Sequence, residues 1–572
     1  MIVLNEYATQ VAEPRIEYQL SMFEDEPDLH EKNGVVYTRP WVVEMILDLC
    51  GYTASANLVD SLAVEPSAGS GAFVVAMAER LMNSCRAQQR PILDCLNSIR
   101  AFEIDDAGAC EARRRCSISL RRLGVSDYDA GKLSNAWIEA SDYLAILPDL
   151  PPCQFVLGNP PYIRLEDIGK NNDSYRDGFT TMKGRSDLYI AFFEAALRQL
   201  APDGVLGFIC ADRWMLNQYG SELRKHITSS FSVEAIVEMH HAEAFETEVS
   251  AYPAVTVIRR TEQGRVVVAR IDAPKARTIG KAIAQDLILL RTGEIRHSTV
   301  QGVRAGVFSS WFRGAEPWPA TSPDRLVLLR RLEAEFPPIE SLGTRVGIGV
   351  ATGADQVYIT RDHTVAEAEQ MIPLAMAADL KTGKLVWSGH YLVSPWSRSG
   401  LVSLTGYPAM ASYFEKHRAR LQARNVGKKN AVFWYRTIDR VDLDLLRCDK
   451  LYIADIKATL RPVLDRGETY PHHNLYFIQS DIWDLEVLGG LLLSDVAQFY
   501  VECYGVRMRG GYLRFQAQYL RRIRVPDFST ISEEDRGLLK EAFHTRNGDA
   551  ATKVAHRLYR IKETELAGLR GN

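Results

Sequence analysis

The chain is 572 residues long, too long for one ordinary hydrophobic core, so two or three domains are expected. Hydrophobic residues make up 46% and charged residues 24%, the composition of a soluble globular protein, with a net charge of -4. Nine scattered cysteines without a Cys-x-x-Cys pair suggest neither a disulfide framework nor a zinc site, and no run approaches the roughly 18 apolar residues of a membrane span. The first residues lack the basic start and apolar run of a signal peptide, so a cytoplasmic protein with no metal and no membrane partner is expected.

Residues 1–34 are polar and acidic and read as an arm. Thr38 is placed to cap an amphipathic helix over 41–49, with Pro40 near its first position. The segment 57–64 then enters Glu65-Pro66-Ser-Ala-Gly69-Ser-Gly71-Ala-Phe73 and a helix to about residue 88. Strand, glycine turn and helix make a nucleotide-binding unit. Val74 stands where a dinucleotide fingerprint needs its third glycine, and no phosphate-loop Gly-Lys-Ser/Thr follows. The carboxylate of Glu65 repels a pyrophosphate and suits a cationic ligand, which favours S-adenosylmethionine over NAD or ATP.

A second strand over 98–104 ends in Phe-Glu103-Ile104-Asp105, where an acid binds ribose in doubly wound folds, although either acid could instead cap the next helix. Asp142 follows a short apolar run and could accept a hydrogen bond from an adenine amino group. The apolar strand 155–157, ended by Gly158, delivers Asn159-Pro160-Pro161-Tyr162 to the carboxyl edge of a parallel sheet. A carboxamide, a carbonyl held between prolines and an aromatic face together suit a planar ring bearing an amino group. Nearby, Pro152-Cys153-Gln154 is the tripeptide around the nucleophile of cytosine-C5 methyltransferases. Strand direction places Cys153 at the opposite edge from the glycine turn, roughly 15 to 20 Å from Asn159 along six residues.

In this order the motifs resemble those of gamma-class, TaqI-type DNA adenine-N6 methyltransferases. The resemblance implies a Rossmann-like α/β fold with a seven-stranded mixed sheet, followed by a mixed α+β DNA-recognition domain. It implies that Thr38, Glu65 and Pro66 hold the methionine end of S-adenosylmethionine and that Gly69 and Gly71 shape its loop. Glu103 would then bind ribose, and Ile104, Asp142 and Tyr143 adenine. Asn159, Pro160, Pro161 and Tyr162 would be catalytic, with Phe245 against the target base opposite Tyr162. In the family proline usually follows directly at the Thr38 position, whereas Arg39 intervenes here.

The expected domains are an arm over 1–34, a catalytic domain over 35–262, a target-recognition domain over 263–530 and a helical tail over 531–572. Tyr413, Arg418, Arg420, Arg424, Lys428, Lys429, Trp434, Tyr435 and Arg436, then the arginines of 507–524, mix basic and aromatic side chains suited to phosphates and bases. The partner expected is double-stranded DNA, with a separate cognate restriction endonuclease alongside a monomeric enzyme. Two rivals share the tetrapeptide: a protein-glutamine N5 methyltransferase, which needs no long basic domain, and a bifunctional restriction-modification enzyme, for which no Asp…Glu-x-Lys nuclease constellation is seen.

Overall fold

The computed structural model describes residues 36–164, 167, 172–247, 252–272, 280–319, 321–505 and 512–570. The expected arm lies outside the described residues. One mixed sheet organises the first half, from β1 (Ala63–Glu65), β2 (Ile99–Glu103), β3 (Ile138–Ala140), β4 (Cys153–Gly158) and β5 (Leu200–Ala211) to β6 (Ser232–Glu238), β7 (Pro253–Arg259), β8 (Val266–Ile271) and β9 (Val303–Phe308). Their order is β3-β2-β1-β4-β5-β7-β6-β8-β9. β1 pairs in parallel with both β2 and β4, β4 with β5, and β7 runs antiparallel to β5 and β6. The order therefore turns outward in both directions from the β1/β4 pair, which is where an open parallel sheet leaves a ligand crevice at its carboxyl edge.

Seven of these strands make the expected Rossmann-like S-adenosylmethionine-dependent methyltransferase sheet, and β8 and β9 extend it. β8 pairs in parallel with β6 and β9 antiparallel with β8, so the expected boundary at residue 262 falls inside the sheet and moves past Phe308. The chain after β7 returns directly as β8, which covers what would otherwise be an open β6 edge.

Helices α1 (Pro40–Leu49), α2 (Ala72–Ala87), α3 (Asp106–Arg122) and α4 (Asp127–Trp137) pack on one face, and α5 (Tyr143–Ile146), α6 (Asn172–Gly178) and α7 (Tyr189–Gln199) on the other. Strand alternation divides β4 between the two cores: Val156 faces one, Phe155 and Leu157 the other.

The second half holds two four-stranded sheets. One orders Thr344–Ile348, Leu475–Ser480, Asp449–Ala454 and Val463–Arg466; the other, Ile359–Thr360, Tyr391–Val393, Met371–Ala375 and Tyr470–Pro471. The carboxy-terminal helices pack back on this half, and Arg325 donates to the carbonyls of Gly568 and Leu569 at 3.1 and 3.2 Å. One hydrophobic core runs unbroken from the catalytic sheet into this half. Trp214 and Trp318 meet there with ring centroids 5.3 Å apart. Among the described residues no helix is long and apolar enough to cross a membrane.

Candidate functional site

The glycine turn after β1 is built by backbone geometry that only glycine tolerates without strain. Gly69 and Gly71 have φ of 52° and 91°, and a Cβ on Gly71 would lie 3.1 Å from Ala112 of α3. The turn brings Glu65 under the start of α2, where the amides of Phe73 and Val74 reach its carboxylate. Glu65 is 1% exposed, and its Oε2 is buried with no hydrogen-bond partner among the described residues. Burial pushes its pKa well above the usual value, and the charge of Glu103 adds to the rise.

At the end of β2 the two acids divide their roles. Asp105 caps α3 by accepting from the Gly108 amide at 2.8 Å. Glu103 is left at the crevice, its two oxygens accepting from the amides of Gly69 at 2.7 Å and Asp105 at 3.0 Å. Each oxygen keeps a lone pair for a further donor. Ile104, beside it, is 69% exposed, an unusual position for an isoleucine and a suitable lid for a planar ring.

Asp142 caps α5 through the Leu144 amide at 3.0 Å and accepts the Tyr175 hydroxyl at 2.7 Å. Tyr175, on α6, escapes sequence reasoning because nothing local marks its tie to Asp142. The ring of Tyr143 is not at the crevice as expected. It is buried among Phe102 and Phe192 and its hydroxyl donates to Gln199 Oε1 at 2.8 Å, so only its backbone faces the start of α5.

Asn159 follows directly on β4, next to the Glu65 turn. A Cβ on Gly158 would touch Pro66 and Glu65 at 3.6 and 3.7 Å. Asn159 Nδ2 donates to the Val36 carbonyl at 2.9 Å and to Thr38 Oγ1 at 3.2 Å. Its Oδ1 is buried with no partner among the described residues. Thr38 therefore does not cap α1; Arg39 holds that position, and without a side-chain cap. Thr38 instead lies against Phe245 in an antiparallel bridge, with Arg39 N donating to Ala244 O and Glu246 N to Tyr37 O, both at 2.9 Å. The segment 36–39 thus ties Asn159 to the loop carrying Phe245.

Tyr162 and Phe245 meet with centroids 6.2 Å apart at 74°. They touch edge to face and do not form the parallel slot expected of rings on opposite sides of a base. The loop is anchored at its other end by His240, which joins Asp212 at 2.7 Å and Glu238 at 3.1 Å. Burial alone would lower the His240 pKa, but the two carboxylates raise it to about 10. Nothing in the spacing of these residues signals the clamp. A cavity of about 170 Å³ opens beside it, lined by Asp212, Arg213, His240 and Tyr252 and by Arg325 and Glu502 from the second half.

Cys153 begins β4 and so sits at the far edge, as strand direction requires. It is fully buried, and burial pushes its thiol up to about 12, which keeps it protonated and unreactive.

In the second half the basic and aromatic candidates separate. Arg420, Lys428 and Lys429 are exposed, with Val432, Phe433 and Ile438 exposed alongside. Trp434 and Tyr435 are buried core rings. Arg424 donates to the carbonyls of Thr352, Trp434 and Arg436, bonds that hold it to its own domain. Arg514, Arg521 and Arg524 pair with Asp455, Glu340 and Glu333. Arg507 and Arg509 lie outside the described residues.

Strand order, glycine turn and acids at successive strand ends define an S-adenosylmethionine-dependent methyltransferase. Residues 153–245 match the family model described as Eco57I restriction-modification methylase. The Type II methyltransferase M.XhoI of Xanthomonas vasicola is 40% identical over 547 residues, 94% of this chain and 98% of that protein. M.BstVI of Geobacillus stearothermophilus is 38% identical over 550 residues, again 94% and 98% of the two chains. The chain belongs to the Type II methyltransferases of restriction-modification systems, whose substrate is DNA and whose methyl donor is S-adenosylmethionine. Its fold is shared with a solved Type IIL restriction-modification enzyme, MmeI in complex with DNA, at a TM-score of 0.57 and 12% identity over 93% of this chain and 76% of that one.

Proposed function

We propose that this enzyme methylates the N6 amino group of an adenine extruded from duplex DNA. The observation that carries the proposal is the free, buried Oδ1 of Asn159. The Val36 carbonyl can only accept, so it fixes the nitrogen of the carboxamide on one side and turns the oxygen into the crevice. There Oδ1 and the carbonyl of Pro160, stiffened by Pro161, accept the two N–H hydrogens of the base amino group. This raises electron density on a nitrogen whose lone pair is delocalised into the ring, and positions it; positioning and electrostatics carry the step. Bound S-adenosylmethionine supplies an electrophilic methyl group on its sulfonium.

The residues present fit that cofactor: one unpartnered buried carboxylate oxygen at Glu65, a turn at Gly71 with no space for a side chain, and an exposed Ile104. Thr38, Glu65 and Pro66 would hold its methionine end, with Gly69 and Gly71 shaping the loop. Glu103 would bind ribose, and Ile104, Asp142 and the backbone amide of Tyr143 adenine. Tyr162 offers its face to the target base, and Phe245 closes the side of the pocket. Extrusion costs a few kcal/mol, of which stacking returns part. The half after Phe308 chooses the target, through the exposed face around Arg420, Lys428 and Phe433, and the enzyme works as a monomer beside a separate endonuclease.

The test is transfer of a labelled methyl group to duplex DNA followed by nucleoside analysis. N6-methyladenine is the expected product; 5-methylcytosine, N4-methylcytosine or labelled protein would overturn the reading.

A further inference from the structure

Asp355, His472 and His473 converge in the second half, far in sequence from the methyl-transfer motifs. One oxygen of the carboxylate and one nitrogen of each imidazole lie within 4.8 Å of one another. His472 Nε2 is 3.1 Å and His473 Nδ1 3.9 Å from Asp355 Oδ2, and the two rings lie close but tilted by 53°, with centroids 4.0 Å apart. His472 is 2% exposed. His473 Nδ1 is buried with no hydrogen-bond partner among the described residues. A buried imidazole nitrogen left unpaired is costly, and this one faces the same carboxylate oxygen that His472 Nε2 reaches, so one ion could serve all three atoms.

A tetrahedral zinc site with bonds of about 2.0–2.1 Å places its ligand atoms about 3.3 Å apart. The distances of 3.1 and 3.9 Å bracket that value and the third edge is within 4.8 Å, so side-chain adjustments of about 1 to 1.5 Å would complete the triangle.

We propose that Asp355, His472 and His473 bind one divalent transition-metal ion of the zinc type, with water as fourth ligand. Two imidazoles and a carboxylate select such an ion over magnesium or calcium, which take oxygen ligands. Asp355 and His473, each 34% exposed at the side chain, leave the fourth position open to solvent. The ion cross-links side chains 117 residues apart. Backbone bonds already join the same two segments: Val350 N donates to Pro471 O at 2.9 Å and His473 N to Val350 O at 3.1 Å. The loop so braced also carries the Thr352 carbonyl that anchors Arg424 at 2.8 Å, so the ion stiffens the platform beneath the exposed basic segment. Cysteine spacing, which suggested no zinc, is blind to a site of this composition.

The test uses the full-length protein, stripped with a chelator and titrated with Co2+. The expected result is one equivalent of four-coordinate Co2+, recognised by its visible absorption, displaced by Zn2+ and not by excess Mg2+. The double substitution Asp355→Asn with His473→Gln should lose that equivalent while retaining S-adenosylmethionine binding, which reports an intact catalytic half. No four-coordinate absorption in the wild type, displacement by Mg2+, or absorption that survives in the double variant would each overturn the proposal. Should the double variant fail to fold, the wild-type titration alone decides.

Discussion

Asn159 Nδ2 donates to the Val36 carbonyl at 2.9 Å, and this one bond orients the carboxamide across a separation of more than a hundred residues. Replacing Asn159 with Ala removes the acceptor Oδ1 while sparing the Glu65 turn. Methyl transfer should fall by about 10²–10³-fold, the usual loss of one preorganised polar group, with cofactor affinity nearly unchanged. Single-turnover transfer and calorimetric cofactor titration check the two halves. Asn159→Asp should be worse, because a carboxylate oxygen would face the Val36 carbonyl and lose both donated hydrogen bonds. Equal loss of transfer and cofactor binding in Asn159→Ala would make the residue a scaffold.

Glu65 gives the cofactor site a pH dependence whose sign follows from its burial. Its folded pKa is raised well above 4.5, so without ligand this group's contribution to stability is present below pH 4.5 and lost as pH rises through the raised value. A cationic ligand favours the ionised form. Cofactor affinity should therefore rise with pH across that window, and binding there should release a proton. Calorimetry in buffers of different ionisation enthalpy reads the release. Glu65→Gln should abolish it and weaken binding about tenfold to a hundredfold, the range for a hydrogen bond to a charged group.

The legibility of these features in the sequence follows the range of the interactions behind them. The glycine turn, the acids after β1 and β2, and Asn159 are short-range patterns at strand ends, and all stand at one sheet edge. What local pattern cannot carry is pairing across the chain. Thr38 reads as a cap because Pro40 follows, yet it bonds a side chain 121 positions away. Tyr143 sits beside a site acid but turns its ring into the core, since a residue's neighbour in sequence points elsewhere in space. Composition likewise cannot separate Arg424, Trp434 and Tyr435, whose partners are carbonyls and core rings, from the exposed Arg420 and Lys428.

Cys153 tests the direction of β4. Its thiol is buried at the edge opposite Asn159 and raised to about 12. Cys153→Ser should leave the transfer rate unchanged and cost about 1–3 kcal/mol of stability, because a hydroxyl would be buried without a partner. Urea denaturation alongside steady-state methylation measures both. A loss of transfer without a loss of stability would restore a covalent mechanism.

Tyr162 should act through its ring rather than its hydroxyl, which reaches only the Ile209 carbonyl at a long 3.4 Å. Tyr162→Phe should methylate close to wild type. Tyr162→Ala should lose about 1–3 kcal/mol of stacking on the base, seen as weakened extrusion of a fluorescent purine placed at the target position. If the two variants were equally impaired, the hydroxyl would be the active part.

His240 holds the start of the Phe245 loop, and its charge is what Asp212 and Glu238 require. With a folded value of about 10 against an ordinary 6.5, its contribution to stability is fully present below pH 6.5 and is lost as pH rises through about 10. Wild-type stability in urea should fall between neutral pH and pH 10 by more than that of His240→Gln, which has no imidazolium to lose. At neutral pH the variant should be less stable by about 3–5 kcal/mol, since the largely buried Asp212 loses the cation it pairs with. Arg270, which lies 3.7 Å from Glu238, still neutralises that carboxylate in the variant. Because the loop also bonds to residues 37–39, extrusion of the fluorescent purine should weaken along with stability in this variant. Cofactor affinity should fall less, since of the residues assigned to its site only Thr38 touches this loop; a matching loss there would mean that the substitution disorders the whole edge.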